Sequence, residues 1–142
     1  MVVGNPQLTQ EEVYLFDRGG DIPVLCIRSG ALRAWLRSNF KDQVCDITFP
    51  ADETLDSIIT RHGLEATRMA SMTEQEAKEP VIVGAWDDGT HLLIDGGHRR
   101  WFWAKRGCHV LKGWTVPEAC WRMFVLDRSA ALAVNAAQPW NF

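Results

Sequence analysis

The residues with the clearest chemistry lie in the segment LLIDGGHRR, which runs from Leu92 to Arg100. Asp95 follows a short hydrophobic run that is typical of a buried strand, and a pair of glycines comes next. His98, Arg99 and Arg100 then open a segment with a helical pattern. A helix N-terminus favours anions because its first N–H groups have no acceptor within the helix, and glycines let a ligand approach the backbone.

The three basic side chains suit a phosphate. An arginine can hold a phosphate through two N–H bonds at fixed geometry, and a histidine can donate a hydrogen bond or transfer a proton near neutral pH. The alternative is an ordinary turn with solvent-facing arginines, although basic residues in a first helical turn oppose the helix dipole by about 0.3–1 kcal/mol each. The predicted phosphate-binding residues are Gly96, Gly97, His98, Arg99 and Arg100.

Asp95 allows two interpretations. As the last residue of the strand it can hold the turn by accepting backbone N–H bonds. It can also orient His98 or Arg99, or hold a divalent cation beside a phosphate. The candidate catalytic residues are therefore Asp95, His98 and Arg99, with Asp95 as the candidate metal ligand.

Composition narrows the class of protein. The chain has 142 residues, 46% of them hydrophobic and 23% charged, which suits one globular domain. A net charge of −3 and a pI of about 5.8 weigh against a surface that coats nucleic acid. The four scattered cysteines favour reduced thiols in a cytoplasmic protein over a zinc site built from Cys108, His109 and His91. No hydrophobic run is long enough to span a membrane.

The elements that must position the site form a mixed α/β pattern. Strand patterns occur in IPVLCIRSG, QVCDITF, PVIVGAW, HLLID and HVLKGWTVP. The segment EACWRMFVLD allows a strand or a helix, and we expect a strand from Trp121 to Leu126. Helical patterns occur in ALRAWLRSNF, ADETLDSIITRHG, TEQEAKEP and GGHRRWFWAKRG, and from Ala130 to Ala137.

Local signals punctuate these elements. Asp52 or Thr54 can cap the helix of ADETLDSIITRHG, and Gly63 can stop it. Thr73 and Glu76 match a capping box, and the DDG sequence between two strand patterns indicates a hairpin. We therefore expect a small mixed sheet with flanking helices. It would form a domain over 21–128, between an N-terminal arm (1–20) and a C-terminal helix and tail (129–142).

The segment LLIDGGHRRWFWAKRG resembles the signature of the ParB/sulfiredoxin superfamily. The common form is a strand, Asp-Gly-x-His-Arg, a helix, and a glycine about eight residues after that arginine. The upstream helix resembles the family's L-x-x-S-I-x-x-x-G segment through Leu55, Ser57, Ile58 and Gly63. The resemblance covers roughly residues 46–116, which it implies to be the core of the domain. The residues that match the signature are Asp95, Gly96, His98, Arg99 and Gly107.

The resemblance implies a compact α/β fold whose signature turn binds nucleotide phosphates and supports phosphoryl transfer or nucleotide hydrolysis, with a nucleoside triphosphate and Mg²⁺ as cofactors. Sulfiredoxin activity is not expected, because Gly97 stands where sulfiredoxins carry their cysteine. Trp101 or Trp103 could stack on the base, although each also suits a core position. The candidates for a general base are Asp46, Glu53 and Asp56.

Two other functions stay open. A ParB-like nuclease or nucleic-acid-binding module would hold a backbone phosphate at the same turn, and a degenerate, non-catalytic copy would bind a protein through its Trp-rich face and the QPWNF tail. A homodimer is compatible with each of these three functions. The resemblance also suggests a gene carried by a mobile element, where small standalone versions of this fold are expected. The further basic residues available to nucleic acid are Arg33, Arg37, Arg100, Lys105 and Arg106.

Overall fold

The computed structural model describes residues 13–16 and 25–126, and these form a mixed α/β structure with two small sheets and six α-helices. Two compact units are present: 13–16, 25–39 and 117–126 belong to one, and 40–116 forms the other. The strands are β1 (Tyr14–Phe16), β2 (Leu25–Ile27), β3 (Cys45–Thr48), β4 (Val81–Ala85), β5 (His91–Asp95), β6 (Val110–Val116) and β7 (Val125–Leu126). The helices are α1 (Ser29–Asn39), α2 (Leu55–His62), α3 (Ala66–Ser71), α4 (Glu74–Ala77), α5 (Gly97–Lys105) and α6 (Glu118–Trp121).

The sheet of the 40–116 unit has the strand order β3-β6-β4-β5. β4 and β5 form an antiparallel hairpin, β6 runs parallel to β4, and β3 pairs antiparallel with β6. Helix α5 therefore connects the edge strand β5 to the inner strand β6. The sequence predicted a helix at this place, between HLLID and HVLKGWTVP. The bend that precedes α5 lies directly after the end of β5.

The end of β5 carries a β-bulge. Ile82 of β4 pairs with Asp95, whereas the next residue, Val83, pairs with Leu93, so Ile94 is the extra residue. A bulge bends a strand and changes the direction of the side chains that follow it. The bulge places Asp95 opposite Ile82, at the point where the chain leaves the sheet.

Two helices that contact α5, α2 and α4, begin at the residues that the sequence indicated, and α2 also ends where it indicated. The Thr54 hydroxyl accepts the Ser57 N–H at 3.1 Å and caps α2, and Gly63 ends that helix with φ +57°. Thr73 and Glu76 form a complete capping box on α4. The segment between them, which had no clear pattern, contains α3.

The core of the 40–116 unit includes a cluster of buried aliphatic residues from three adjacent strands, β4, β5 and β6. Ile47, Phe49 and Trp103 pack against it. Trp103 therefore joins α5 to the sheet. The aliphatic members of the cluster are Val81, Val83, Leu93 and Leu111.

The other unit has a three-stranded antiparallel sheet with the order β1-β2-β7. Leu32 and Leu36 of α1 are buried, as its apolar periodicity predicted. Within this unit the rings of Trp35 and Phe124 lie 5.6 Å apart between centroids.

The predicted strand from Trp121 to Leu126 is wrong for most of its length. Pro117, with φ −61°, precedes the one-turn helix α6, a 3₁₀ turn follows at Arg122–Phe124, and only Val125–Leu126 is a strand. Arg122 Nε lies 2.6 Å from Glu118 Oε2, an i,i+4 ion pair that a strand could not form. This local pair and the starting proline favour the turn over the β-propensity of the segment.

Several predictions fall on other parts of the chain. The C-terminal helix at Ala130–Ala137 and the QPWNF tail lie outside the described residues, and so does the N-terminal arm apart from 13–16. Within 13–16 and 25–126, no helix has both the length and the apolar character needed to cross a membrane.

Candidate functional site

The two glycines of the bend are packed against the protein interior. Gly96 has φ +130°, and a Cβ atom there would lie 2.5 Å from Val81 Cγ1. A Cβ atom on Gly97 would lie 2.9 Å from His62 Cβ and 3.0 Å from a methyl group of Leu64. Glycine is needed at both positions because the bend packs closely on β4 and on the end of α2. The sequence had suggested a different reason, that glycines give a ligand access to the backbone.

Asp95 and Arg99 form a pair across the first turn of α5. Arg99 Nη1 lies 3.5 Å from Asp95 Oδ1, and the two side chains are only 12% and 11% exposed. Arg99 Nε also donates to the carbonyl oxygen of Glu76 at 3.3 Å. This geometry suits the second interpretation of Asp95, in which its carboxylate orients Arg99.

His98 is held as a neutral imidazole. Its Nε2 accepts a hydrogen bond from the backbone N–H of Glu65 at 3.0 Å, which requires a lone pair on Nε2 and places the proton on Nδ1. Burial lowers the pKa of His98, the nearby charge of Arg68 lowers it further, and Glu65 opposes this. Arg99 also lowers the pKa of His98. Two arginines thus act on His98 at the positive end of α5.

Arg100 points away from His98 and Arg99, into the interior. Its side chain is 0% exposed, and Nη2 donates to the Pro50 carbonyl oxygen at 2.8 Å. Nη1 lies 3.0 Å from His109 Nδ1, and the guanidinium lies 5.0 Å from the centroid of the Phe49 ring. The structure therefore places Arg100 away from any surface phosphate and gives it a structural position, because both terminal nitrogens of its guanidinium make contacts inside the unit.

Glu53 provides the negative charge for this buried arginine. Its Oε1 lies 3.6 Å from Arg100 Nη2 and its Oε2 lies 3.1 Å from Arg61 Nη1, and its side chain is 7% exposed. Burial lowers the pKa of Arg100, and Glu53 opposes that shift. Among the other candidate bases, Asp46 pairs with Lys112 and Asp56 lies exposed in the first turn of α2.

The two candidate stacking residues lie on different faces of α5. Trp103 Nε1 donates to the Ala77 carbonyl oxygen at 2.8 Å, and the ring packs on the core cluster. It also forms part of the wall of a cavity of about 130 Å³ between α4, α5 and β6. Trp101 is half-buried and follows His98 by three residues, with Lys105 Nζ 5.1 Å from its ring centroid. Only Trp101 therefore shares a helix face with His98.

Sequence reasoning did not identify Arg68 or Glu65 as neighbours of His98. Both lie in the segment LEATRMASM, whose pattern was weak, and no spacing rule links Glu65 to His98, which are 33 positions apart. Across 13–16 and 25–126, no group of three or more His, Cys, Asp or Glu side chains is arranged to hold a metal ion.

Comparisons with known proteins identify no relative. No family model matches the chain, and neither the curated proteins nor the solved structures contain a match.

Proposed function

We propose that residues 40–116 form a nucleotide-binding domain of the ParB/sulfiredoxin-like kind, and that the first turn of α5 holds a phosphate group. The ligand would lie at the helix N-terminus, with His98 and Arg99 from α5 and Arg68 from α3. The order of hairpin, Asp-Gly-x-His-Arg bend, helix and strand supports the family assignment.

One observation carries the proposal: His98, at the N-terminus of α5, lies in the positive field of both Arg68 and Arg99. A helix N-terminus adds partial positive charge in the same place. Asp95 and Glu65 compensate part of this positive charge, and a bound phosphate would compensate more of it. The Nδ1–H of neutral His98 is a suitable donor to a phosphate oxygen.

The remaining residues have supporting roles in this proposal. Asp95 fixes Arg99 in position through their 3.5 Å contact, and it is the residue that we propose for Mg²⁺ brought with a triphosphate. Trp101 is the proposed stacking surface for the base, since it lies one helical turn from His98. Two of the three candidate bases, Asp46 and Glu53, are held in ion pairs, so binding is proposed first and hydrolysis is to be measured.

The test is isothermal titration calorimetry of the full chain with ATP, GTP and CTP, with and without Mg²⁺. Arg68→Ala is the informative variant, because Arg68 is exposed and its loss should leave the fold intact. Loss of one charged contact to phosphate should weaken binding about 10- to 100-fold, as a charged hydrogen bond contributes ~1.5–3 kcal/mol. Arg37→Ala, an exposed arginine at the end of α1, is the matched control.

The other outcomes are equally specific. Binding only to DNA or RNA, with affinity falling steeply with salt, would replace this proposal by the nucleic-acid module. Absence of binding to any nucleotide or nucleic acid would contradict it and leave the protein-interaction alternative.

A further inference from the structure

Three of the four histidines of the chain surround the first turns of α5. His98 lies in the helix, His62 ends α2 against Gly97, and His109 lies in the loop that follows α5. Two of the three accept hydrogen bonds through a ring nitrogen. An imidazole can accept in this way only while it is neutral, because both ring nitrogens of the charged form carry hydrogen.

The contact of His109 determines its protonation state. Its Nδ1 lies 3.0 Å from Arg100 Nη1, and a guanidinium is only a donor, so Nδ1 must carry the lone pair and Nε2 the hydrogen. Arg100 is fully buried. A proton on Nδ1 would remove this hydrogen bond and place a second positive charge beside the guanidinium.

Other charged groups around Arg100 do not remove this conflict. Glu53 is the acid that faces the guanidinium, and Arg61 shares that same carboxylate. Cys108, in the loop beside His109, also acts electrostatically on Arg100. The single carboxylate of Glu53 thus already serves two arginines and has little capacity for a third cation.

His98 and His62 lie in a similar setting. Arg68, Glu65 and Arg99 are the charged groups around His98, and its Nε2 holds the start of α3 through the Glu65 N–H. The groups around His62 are Glu53, Arg61, Arg100 and His98. Burial is the main cause that lowers the pKa of both His62 and His98, and the nearby arginines add to it.

We propose that these imidazoles form an acid-sensitive latch, in which protonation of His98 and His109 breaks the links of α5 to Glu65 and Arg100 and destabilises the 40–116 unit. This latch requires no bound ligand. Because of the latch, the candidate site is stable at neutral pH and is lost on acidification.

Proton linkage gives the direction in which the stability of the 40–116 unit changes with pH. The unfolded chain binds a proton at His98 near pH 6.5, whereas burial and the charge of Arg68 hold the pKa of His98 in the folded unit below that value. The unfolded state therefore binds more protons, and stability falls as the pH drops below that value. At pH 5 each histidine that stays neutral in the folded state can raise the unfolding equilibrium constant by up to about 30-fold relative to pH 8.

The experiment measures urea unfolding of the full chain at pH 8 and pH 5. His98→Gln and His109→Asn each place an amide oxygen near the accepting nitrogen and cannot gain a proton. His98→Gln should reduce the ratio of the pH 5 to the pH 8 unfolding constants by up to about 30-fold. His91→Gln is the matched control, because it removes one imidazole at an exposed position outside these contacts.

A ratio that is unchanged in His98→Gln, or that falls equally in His91→Gln, would overturn the latch. NMR of the wild-type chain at pH 7 tests the same idea without any substitution. The ¹⁵N shifts should show hydrogen on Nδ1 of His98 and on Nε2 of His109. The opposite tautomer, or a charged ring, at either position would contradict it.

Discussion

Val81 and Gly96 are in direct contact: a Cβ atom on Gly96 would lie 2.5 Å from Val81 Cγ1 and 2.8 Å from Val81 Cβ. Val81 is completely buried and belongs to the core cluster. The bend that precedes α5 is therefore continuous with the core of the 40–116 unit. Its geometry depends on the absence of a side chain at Gly96 as well as on a φ of +130°.

Gly96→Ala should reduce the free energy of unfolding by about 3–5 kcal/mol, because strain at positive φ adds to a clash with a buried side chain. Gly89→Ala is the matched control. Gly89 also has positive φ, at +89°, but a Cβ atom there meets nothing within 4 Å, so a loss of about 1–2 kcal/mol is expected. Urea unfolding measures both. Equal losses would show that the Val81 contact does not matter.

Glu53→Gln should destabilise the unit by about 3–5 kcal/mol, since it leaves the fully buried Arg100 without its carboxylate partner. The matched control is Asp46→Asn, which breaks an exposed ion pair with Lys112 and should cost no more than about 1 kcal/mol. Chemical denaturation at pH 7.5 compares the two. A loss of under 1 kcal/mol in Glu53→Gln would mean that Pro50 and His109 satisfy the arginine on their own.

The two tryptophans of α5 should respond differently to replacement by alanine. Trp103→Ala removes a partly buried ring that packs on the core cluster, together with a hydrogen bond to Ala77, so we expect a loss of about 3 kcal/mol of stability. Trp101→Ala should change stability much less but weaken nucleotide binding by about 1–3 kcal/mol if the base stacks there. Thermal unfolding and calorimetry separate the effects. Unchanged nucleotide affinity in Trp101→Ala would remove Trp101 from the proposed site.

Much of the fold of the 40–116 unit could be predicted because its signals are local. Thr54 and Gly63 bound α2, and the capping box of Thr73 and Glu76 fixes α4 through contacts three residues apart. The DDG hairpin also follows from adjacent residues. Such contacts are visible in sequence because the spacing itself specifies the geometry.

The arrangement of the site could be predicted only in part. The sequence placed Asp95, His98 and Arg99 at a strand-to-helix bend, and the pairing of Asp95 with Arg99 follows their i,i+4 spacing. The inward direction of Arg100 depends on Pro50, 50 residues earlier in the chain, and its pairing with Glu53 depends on the same tertiary packing. No periodicity links residues at that separation, so only the folded chain reveals which cation is buried.

The electrostatic basis of the proposed site can be tested without a ligand. Arg68 is the nearby charge that most lowers the pKa of His98, so Arg68→Gln should raise that pKa and Arg68→Glu should raise it further. NMR titration of the His98 ring measures this change in its pKa. Added salt should make the change smaller, because Arg68 is exposed and its charge is screened.

Arg61→Gln is the matched control for this titration. It should raise the pKa of His62, on which Arg61 acts directly, and leave His98 nearly unchanged. Equal shifts of His98 in the Arg61 and Arg68 variants would mean that His98 senses the total charge of the unit and has no specific arginine neighbour. The positive field that we assign to the first turn of α5 would then lose its support.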